Sequence, residues 1–229
     1  MSGQRRQTAL QAENFAACGW GRRGGRRSGM KSLADFSGGK TRAALAVGLC
    51  IVLLAGFRVL RASLLPDLPN FSPVTAVAVC GAFLLPGALG WILPLGALMV
   101  SDLLLALVLG YPALSSAQLV VWGTILGLVG FSRLVARGGF SPVRYFGSVL
   151  GGGVVFYLIT NTASWLANPA YPRGLGGLWM SLTTGLPGFP PTWIFFRNSL
   201  VSDFLFAGLL LAVWALTSST APRALQRAA

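Results

Sequence analysis

Histidine is missing from all 229 residues, and acidic side chains are scarce: five Asp and Glu stand against eighteen Lys and Arg, a net charge of +13. Without His, the commonest general base and the commonest metal ligand are both gone. Ser-His-Asp and HExxH constellations are therefore excluded, and hydrolytic catalysis is not indicated. Any metal chemistry must use sulfur, carboxylate or carbonyl groups. No GxxxxGK[ST] phosphate loop occurs, which excludes ATP hydrolysis of the usual kind. The three cysteines, Cys18, Cys50 and Cys80, form no paired spacing and give no disulfide framework.

Apolar residues fill these gaps, at 54% of the chain against 10% charged. A soluble globule of that balance would lack the polar surface to face water. A +13 soluble protein would suggest a nucleic-acid binder. Here, however, Arg5, Arg6, Arg22, Arg23, Arg26, Arg27, Lys31, Lys40 and Arg42 all precede the first apolar run, the pattern of a cytoplasmic tail before a membrane span. The RRGGRR run is read as topology, with no nucleic-acid partner.

The sequence predicts an all-α membrane protein with six transmembrane helices. A basic, disordered cytoplasmic tail covers 1–40, with Met30 as an alternative start. The transmembrane domain covers 41–218, and a cytoplasmic C-terminal tail covers 219–229. A helical crossing needs roughly 20 apolar residues. The spans run from about Ala43 to Leu60, Pro73 to Leu85, Trp91 to Leu109, Ala117 to Ala136, Tyr145 to Leu166 and Pro191 to Leu216. The second is short; Ser72 is expected to cap it, with Pro73 in its first position. A long connection, Asn168–Pro190, holds a segment expected to form a short interfacial helix. With the N-terminus inside, fourteen Lys and Arg fall on the cytoplasmic side and four (Arg58, Arg61, Arg173, Arg197) outside. That bias predicts a bacterial inner membrane protein with both termini cytoplasmic.

The outward half collects the unusual residues. Asn70, Phe71 and Ser72 precede the second span, Tyr111 follows the third, and Asn161 and Trp165 end the fifth. Tyr171, Trp179 and Phe189 lie in the long connection, and Asn198 begins the sixth span. Together they are expected to line an aromatic, amide-bearing cavity open to the periplasm. Interfacial anchoring and helix capping are the alternative for each one alone. Asp102 and Asp203 are intramembrane carboxylates that need partners. Ser101 or a neighbouring helix is expected to serve Asp102, and Arg197 to serve Asp203; structural and substrate-handling roles stay open for both.

Cys80 lies roughly 10 Å into the second span, beside Ala76, Ala78, Gly81 and Ala82. These small residues would let a large planar ligand approach the backbone. A thiol in such surroundings is inert until a metal deprotonates it. Packing is the alternative for Cys80, and the reading kept for Cys50.

NFSPVTAVAVCGAF (Asn70–Phe83), SDLLLALVLGY (Ser101–Tyr111), ITNTASWLANPAYPRGLGGL (Ile159–Leu178) and FFRNSLVSDFLF (Phe195–Phe206) together resemble one family. It is that of the substrate-binding S-components of energy-coupling-factor (ECF) vitamin transporters, and within it the cobalamin-associated BtuM group. In the broader related family the NFSP segment continues with an aromatic where this chain has Cys80, and a Cys there distinguishes the BtuM group. The resemblance covers residues 43–217. It implies an S-component-like six-helix fold, a vitamin site near the outer face, and a separate coupling protein with ATPases as partner. It also implies cobalamin or cobinamide as substrate, with Cys80 as the axial ligand of cobalt in place of the vitamin's benzimidazole. A thiolate donor would further weaken the opposite axial bond, so that Cys80 could assist removal of cyanide. An S-component for thiamin or riboflavin, and a membrane enzyme acting on cobalamin without moving it, are the rival expectations.

Overall fold

The computed structural model describes residues 33–218 apart from 65–67, 111 and 113, and only the backbone of 33–40. The expected tails, with Cys18 and Met30, and Tyr111 lie outside the described residues, except that the first helix reaches back to Leu33. Seven helices and no strand occur among the described residues: α1 Leu33–Leu64, α2 Val74–Leu84, α3 Leu89–Leu109, α4 Ser116–Ala136, α5 Pro142–Ala167, α6 Leu175–Leu182 and α7 Thr192–Thr217.

Five of them, α1 from Thr41, α3, α4, α5 and α7, are long and apolar enough to cross a membrane. At 1.5 Å per residue they reach or exceed the roughly 30 Å of a hydrocarbon core. Their large apolar side chains point outward as well as inward: Leu45, Leu49 and Leu53 on α1 and Leu107 on α3 are more than half exposed. Such faces suit lipid, and the chain is built as a multi-pass membrane protein. The expected short helix in the long connection is α6, eight residues long.

The expected second span is α2, only 11 residues, or about 16 Å of helix. It lies in the middle of the bundle, packed on α3, α4, α5 and α7. Nine of its residues are buried, which is why VTAVAVCGAFL shows no amphipathic stripe: every face meets protein. The crossing with α3 is close. A Cβ at Gly81 would overlap Pro94 and come within 3.1 Å of the Gly90 carbonyl oxygen.

A buried helix this short still leaves amide and carbonyl groups unsatisfied at its ends. Neighbouring helices supply what its own sequence does not. At the N-terminus the Asp203 carboxylate of α7 accepts from the Ala76 amide at 2.9 Å and is hydrogen-bonded by Thr75. Beyond the C-terminus Arg133 of α4 donates to the carbonyls of Leu85 (3.3 Å) and Gly87 (2.6 Å). A carboxylate at the start and a guanidinium past the end also oppose the helix dipole. This corrects the expected Ser72 cap: Pro73 occupies the N-cap, no side chain caps from there, and Ser72 Oγ has no hydrogen-bond partner. The Ser72 backbone is held instead by Ser202, which accepts from its amide (3.1 Å) and donates to its carbonyl (2.9 Å).

Candidate functional site

A cavity of about 720 Å³ opens at the N-terminal end of α2, within the 300–1,000 Å³ usual for small-molecule sites. Its floor is Val74, Thr75 and Asp203; Gly153 of α5 borders it, with Asp203 3.9 Å from where a Cβ would stand. Amide and aromatic groups make the walls. Asn70, Asn161 and Asn168 face it together with Tyr157, Tyr171 and Phe189. Arg58 and Arg61 of α1, one turn apart on a single helix face, complete one side.

Polar groups in these walls are tied to the scaffold. Asn161 donates to the Tyr157 carbonyl at 2.8 Å, and the Tyr157 hydroxyl donates to the Leu182 carbonyl, which fastens α5 to α6. Asn70 sits at φ +55°, in the left-handed region that Asn tolerates, and its carbonyl accepts from Ser199 at 3.0 Å. These bonds hold the segment leading into α2 against α7.

Of the residues expected at the site, Asn70, Ser72, Asn161, Tyr171 and Phe189 line this cavity. Four others have different work. Phe71 packs edge-on against Phe57 and Phe206, with centroids 6.5 and 6.2 Å away. Trp165 Nε1 donates to the Pro172 carbonyl at 3.0 Å, bracing the start of the connection. Trp179 turns outward, 69% exposed. Asn198 is buried and donates to the Pro69 carbonyl at 3.0 Å, which pins the approach to α2.

The intramembrane carboxylates are both paired. Asp102 forms an ion pair with Arg58, and its other oxygen accepts from Trp122 Nε1 at 2.8 Å. Ser101 joins by accepting from Arg58 at 2.7 Å. The expected neighbouring-helix partner thus exists, contributed by α1 and α4. Asp203 does not use Arg197, which lies 5.5 Å over the Trp193 ring and donates to Asn198; the N-terminus of α2 takes that place. Arg58 was read as the end of the first span. Its position inside an apolar helix, where an unpaired charge is costly, was the signal that it needed a partner.

Cys80 lies beyond the floor. It is fully buried, does not line the cavity, and its Sγ is 2.6 Å from the Tyr145 hydroxyl, which itself donates to the Ala207 carbonyl at 2.9 Å. Ala76 to Cys80 on α2, and Asp203 to Ala207 on α7, are each four residues, or about 6 Å of helix. The sulfur therefore occupies the layer one turn past Asp203, on the same face of α2. No group of three or more potential His, Cys, Asp or Glu ligands for a metal ion occurs among the described residues. A single sulfur would serve a metal that brings its own equatorial ligands, as a corrin does.

No curated protein and no solved structure gives a significant match to this chain. The model of a family of unknown function, DUF6580, matches residues 39–225, which take in the whole helix bundle from α2 to α7, and the chain belongs to that family.

Proposed function

We propose that this protein takes up cobalamin across a bacterial inner membrane, with the corrin in the cavity and Cys80 as axial ligand of its cobalt. The observation that carries the reading is the wide amide- and aromatic-walled cavity whose floor lies one helical turn from a lone thiol. The carboxamides around a corrin rim match walls of Asn, Tyr and backbone carbonyls, and its flat apolar faces match the aromatic rings. In this reading the fold is that of an S-component. The buried α2 counts as the sixth crossing, both termini are cytoplasmic, and the cavity opens to the periplasm. A coupling protein with ATPases supplies energy where one is present.

Sulfur meets cobalt only if the floor opens by one turn, which releases the Asp203–Ala76 contact and turns Cys80 from its place beside Tyr145. The S–Co bond then forms as the cobalt–benzimidazole bond breaks. If cyanide leaves from the other face, it keeps the electron pair of its bond to cobalt and takes the thiol proton. Cobalt keeps its oxidation state, and the net product is hydrogen cyanide.

The complete burial of Cys80 favours a second reading, an S-component for a smaller vitamin in which this thiol only packs. Purified protein mixed with cobalamin, desalted and reconstituted into liposomes separates the possibilities. The proposal expects the protein to stay red and the vesicles to accumulate corrinoid. Protein that lacks the red colour and retains thiamin or riboflavin instead would favour the second reading. Retained but unmoved corrinoid would point to an enzyme.

A further inference from the structure

A hydroxyl carries one proton, and the cavity walls have spent theirs in a consistent direction. On α5, Tyr157, Thr160, Asn161 and Ser164 line the cavity and share one helix face, at i, i+3, i+4 and i+7. Tyr157 donates to the Leu182 carbonyl, Thr160 to the Phe156 carbonyl at 2.8 Å and Ser164 to the Thr160 carbonyl at 3.0 Å. Asn161 turns its amide nitrogen to the Tyr157 carbonyl at 2.8 Å, which leaves its oxygen for the cavity. On α7, Ser199 donates to the Asn70 carbonyl at 3.0 Å, and one turn deeper the Asp203 carboxylate accepts from Ala76; both line the cavity as well. What these six groups still offer is lone pairs.

Bonding of Ser and Thr to the preceding turn is common in helices, and Thr160 or Ser164 alone is free to turn its proton round. Tyr157 and Ser199 are not. Leu182 is the last residue of α6, where a carbonyl has no intrahelical partner, and Asn70 lies in the irregular segment before α2. Turning either hydroxyl toward a ligand would orphan the carbonyl it serves. The sense reverses only past the end of α5, where Asn168 Oδ1 accepts from the Ala170 amide at 3.0 Å and its NH2 is the end left over.

We propose that this α5–α7 wall is a hydrogen-bond-acceptor strip: it selects a ligand edge that bears N–H donors, a primary carboxamide or an amine, and rejects a carboxylate there. The inference rests on the cavity being the ligand site, as proposed above, and on no bond to Cys80. An amide laid on the strip finds acceptors for its N–H groups while every group of the wall keeps the scaffold bond it already has. A carboxylate in the same place loses those donors and sets negative charge against oxygen lone pairs and Asp203. A polar or charged group left unpaired out of water costs more than a made hydrogen bond contributes. The discrimination comes from what the wall refuses.

The test measures the affinity of the purified protein for cobalamin and for its monocarboxylic acids, in each of which one peripheral carboxamide has been hydrolysed. At least one acid should bind about tenfold more weakly than cobalamin, the scale of one hydrogen bond lost with its partner left unpaired. Asn161→Leu removes one acceptor and keeps the helix backbone bonds. It should weaken cobalamin about threefold to tenfold and shrink the disadvantage of that acid. Thr160→Val, of similar shape without the oxygen, is the second variant should Asn161→Leu not fold. Acids that all bind as well as cobalamin, or a disadvantage that neither variant changes, overturn the strip and leave the cobalamin reading standing. If wild type binds no corrinoid, that reading falls by itself, and thiamin and riboflavin, which both carry N–H groups, become the probes. Affinity lost in Asn161→Leu then supports the strip, and unchanged affinity overturns it. Protein that binds none of the three overturns both.

Discussion

Helices α1 and α2 solve the same problem in opposite ways. The membrane-crossing part of α1 has 24 residues, carries exposed leucines along its length and is tied to α3 by the one ion pair found among the described residues, Arg58–Asp102. Helix α2 has 11 residues, is buried on every face, and takes a carboxylate at one end and a guanidinium past the other from α7 and α4. Lipid can solvate the apolar side chains of α1, so its own sequence is enough to make it a helix. Nothing but protein can satisfy α2. The cavity lies where the two regimes meet, with Arg58 and Arg61 on one wall and the start of α2 as its floor.

The comparison breaks most directly at Arg58. Replacing it with Met leaves Asp102 buried beside Trp122 without its counter-charge. The expected loss is about 3–5 kcal/mol, the usual cost of removing one partner from a buried pair. Reversible unfolding in detergent should show Arg58→Met far below wild type and Arg58→Met/Asp102→Leu largely restored. Failure of the double variant to recover would mean that Arg58 does more than neutralise Asp102.

Asp203→Ala probes the other regime. It strips the acceptor from Thr75 and Ala76, and we expect about 1–3 kcal/mol of destabilisation, with Asp203→Asn losing less because an amide oxygen still accepts. Hydrogen exchange should rise at the first turn of α2 before it rises elsewhere. A global change without that local signature would argue against the capping role. Gly81→Ala tests the close crossing with α3 and should cost about 1–3 kcal/mol through overpacking against Pro94, whereas Gly56→Ala on α1, where a Cβ meets nothing within 4 Å, should be neutral or better. The smallest loss is expected at Arg133→Met, about 0.3–1 kcal/mol from the helix dipole, again read most clearly in exchange at the end of α2.

What could be read in advance follows the same division. The five long helices were legible because lipid selects continuous apolar runs, and their ends lay within four residues of the boundaries found, apart from the start of α1, which begins at Leu33 where Ala43 was expected. The start of α2 was legible from Pro73, but its burial in the middle of the bundle and its capping were not. Asp203 and Arg133 lie 127 and 48 residues away from the groups they serve, and no local pattern reports such a pairing. For the same reason Asp102 could be recognised as needing a partner while Arg58, 44 residues earlier, was taken for the end of a span. Of the residues expected at the cavity, Asn70, Ser72, Asn161, Tyr171 and Phe189 line it. Phe71, Trp165, Trp179 and Asn198 do not, because side-chain direction depends on neighbours that spacing does not reveal. Tyr145 was invisible as a partner of Cys80, since 65 residues separate them.

The account stands on whether the Cys80 sulfur reaches cobalt. Purified protein titrated with cobalamin should give a base-off, sulfur-ligated absorption spectrum in wild type that vanishes in Cys80→Ala while the helix content of the variant stays the same. Identical difference spectra for the two proteins would contradict it.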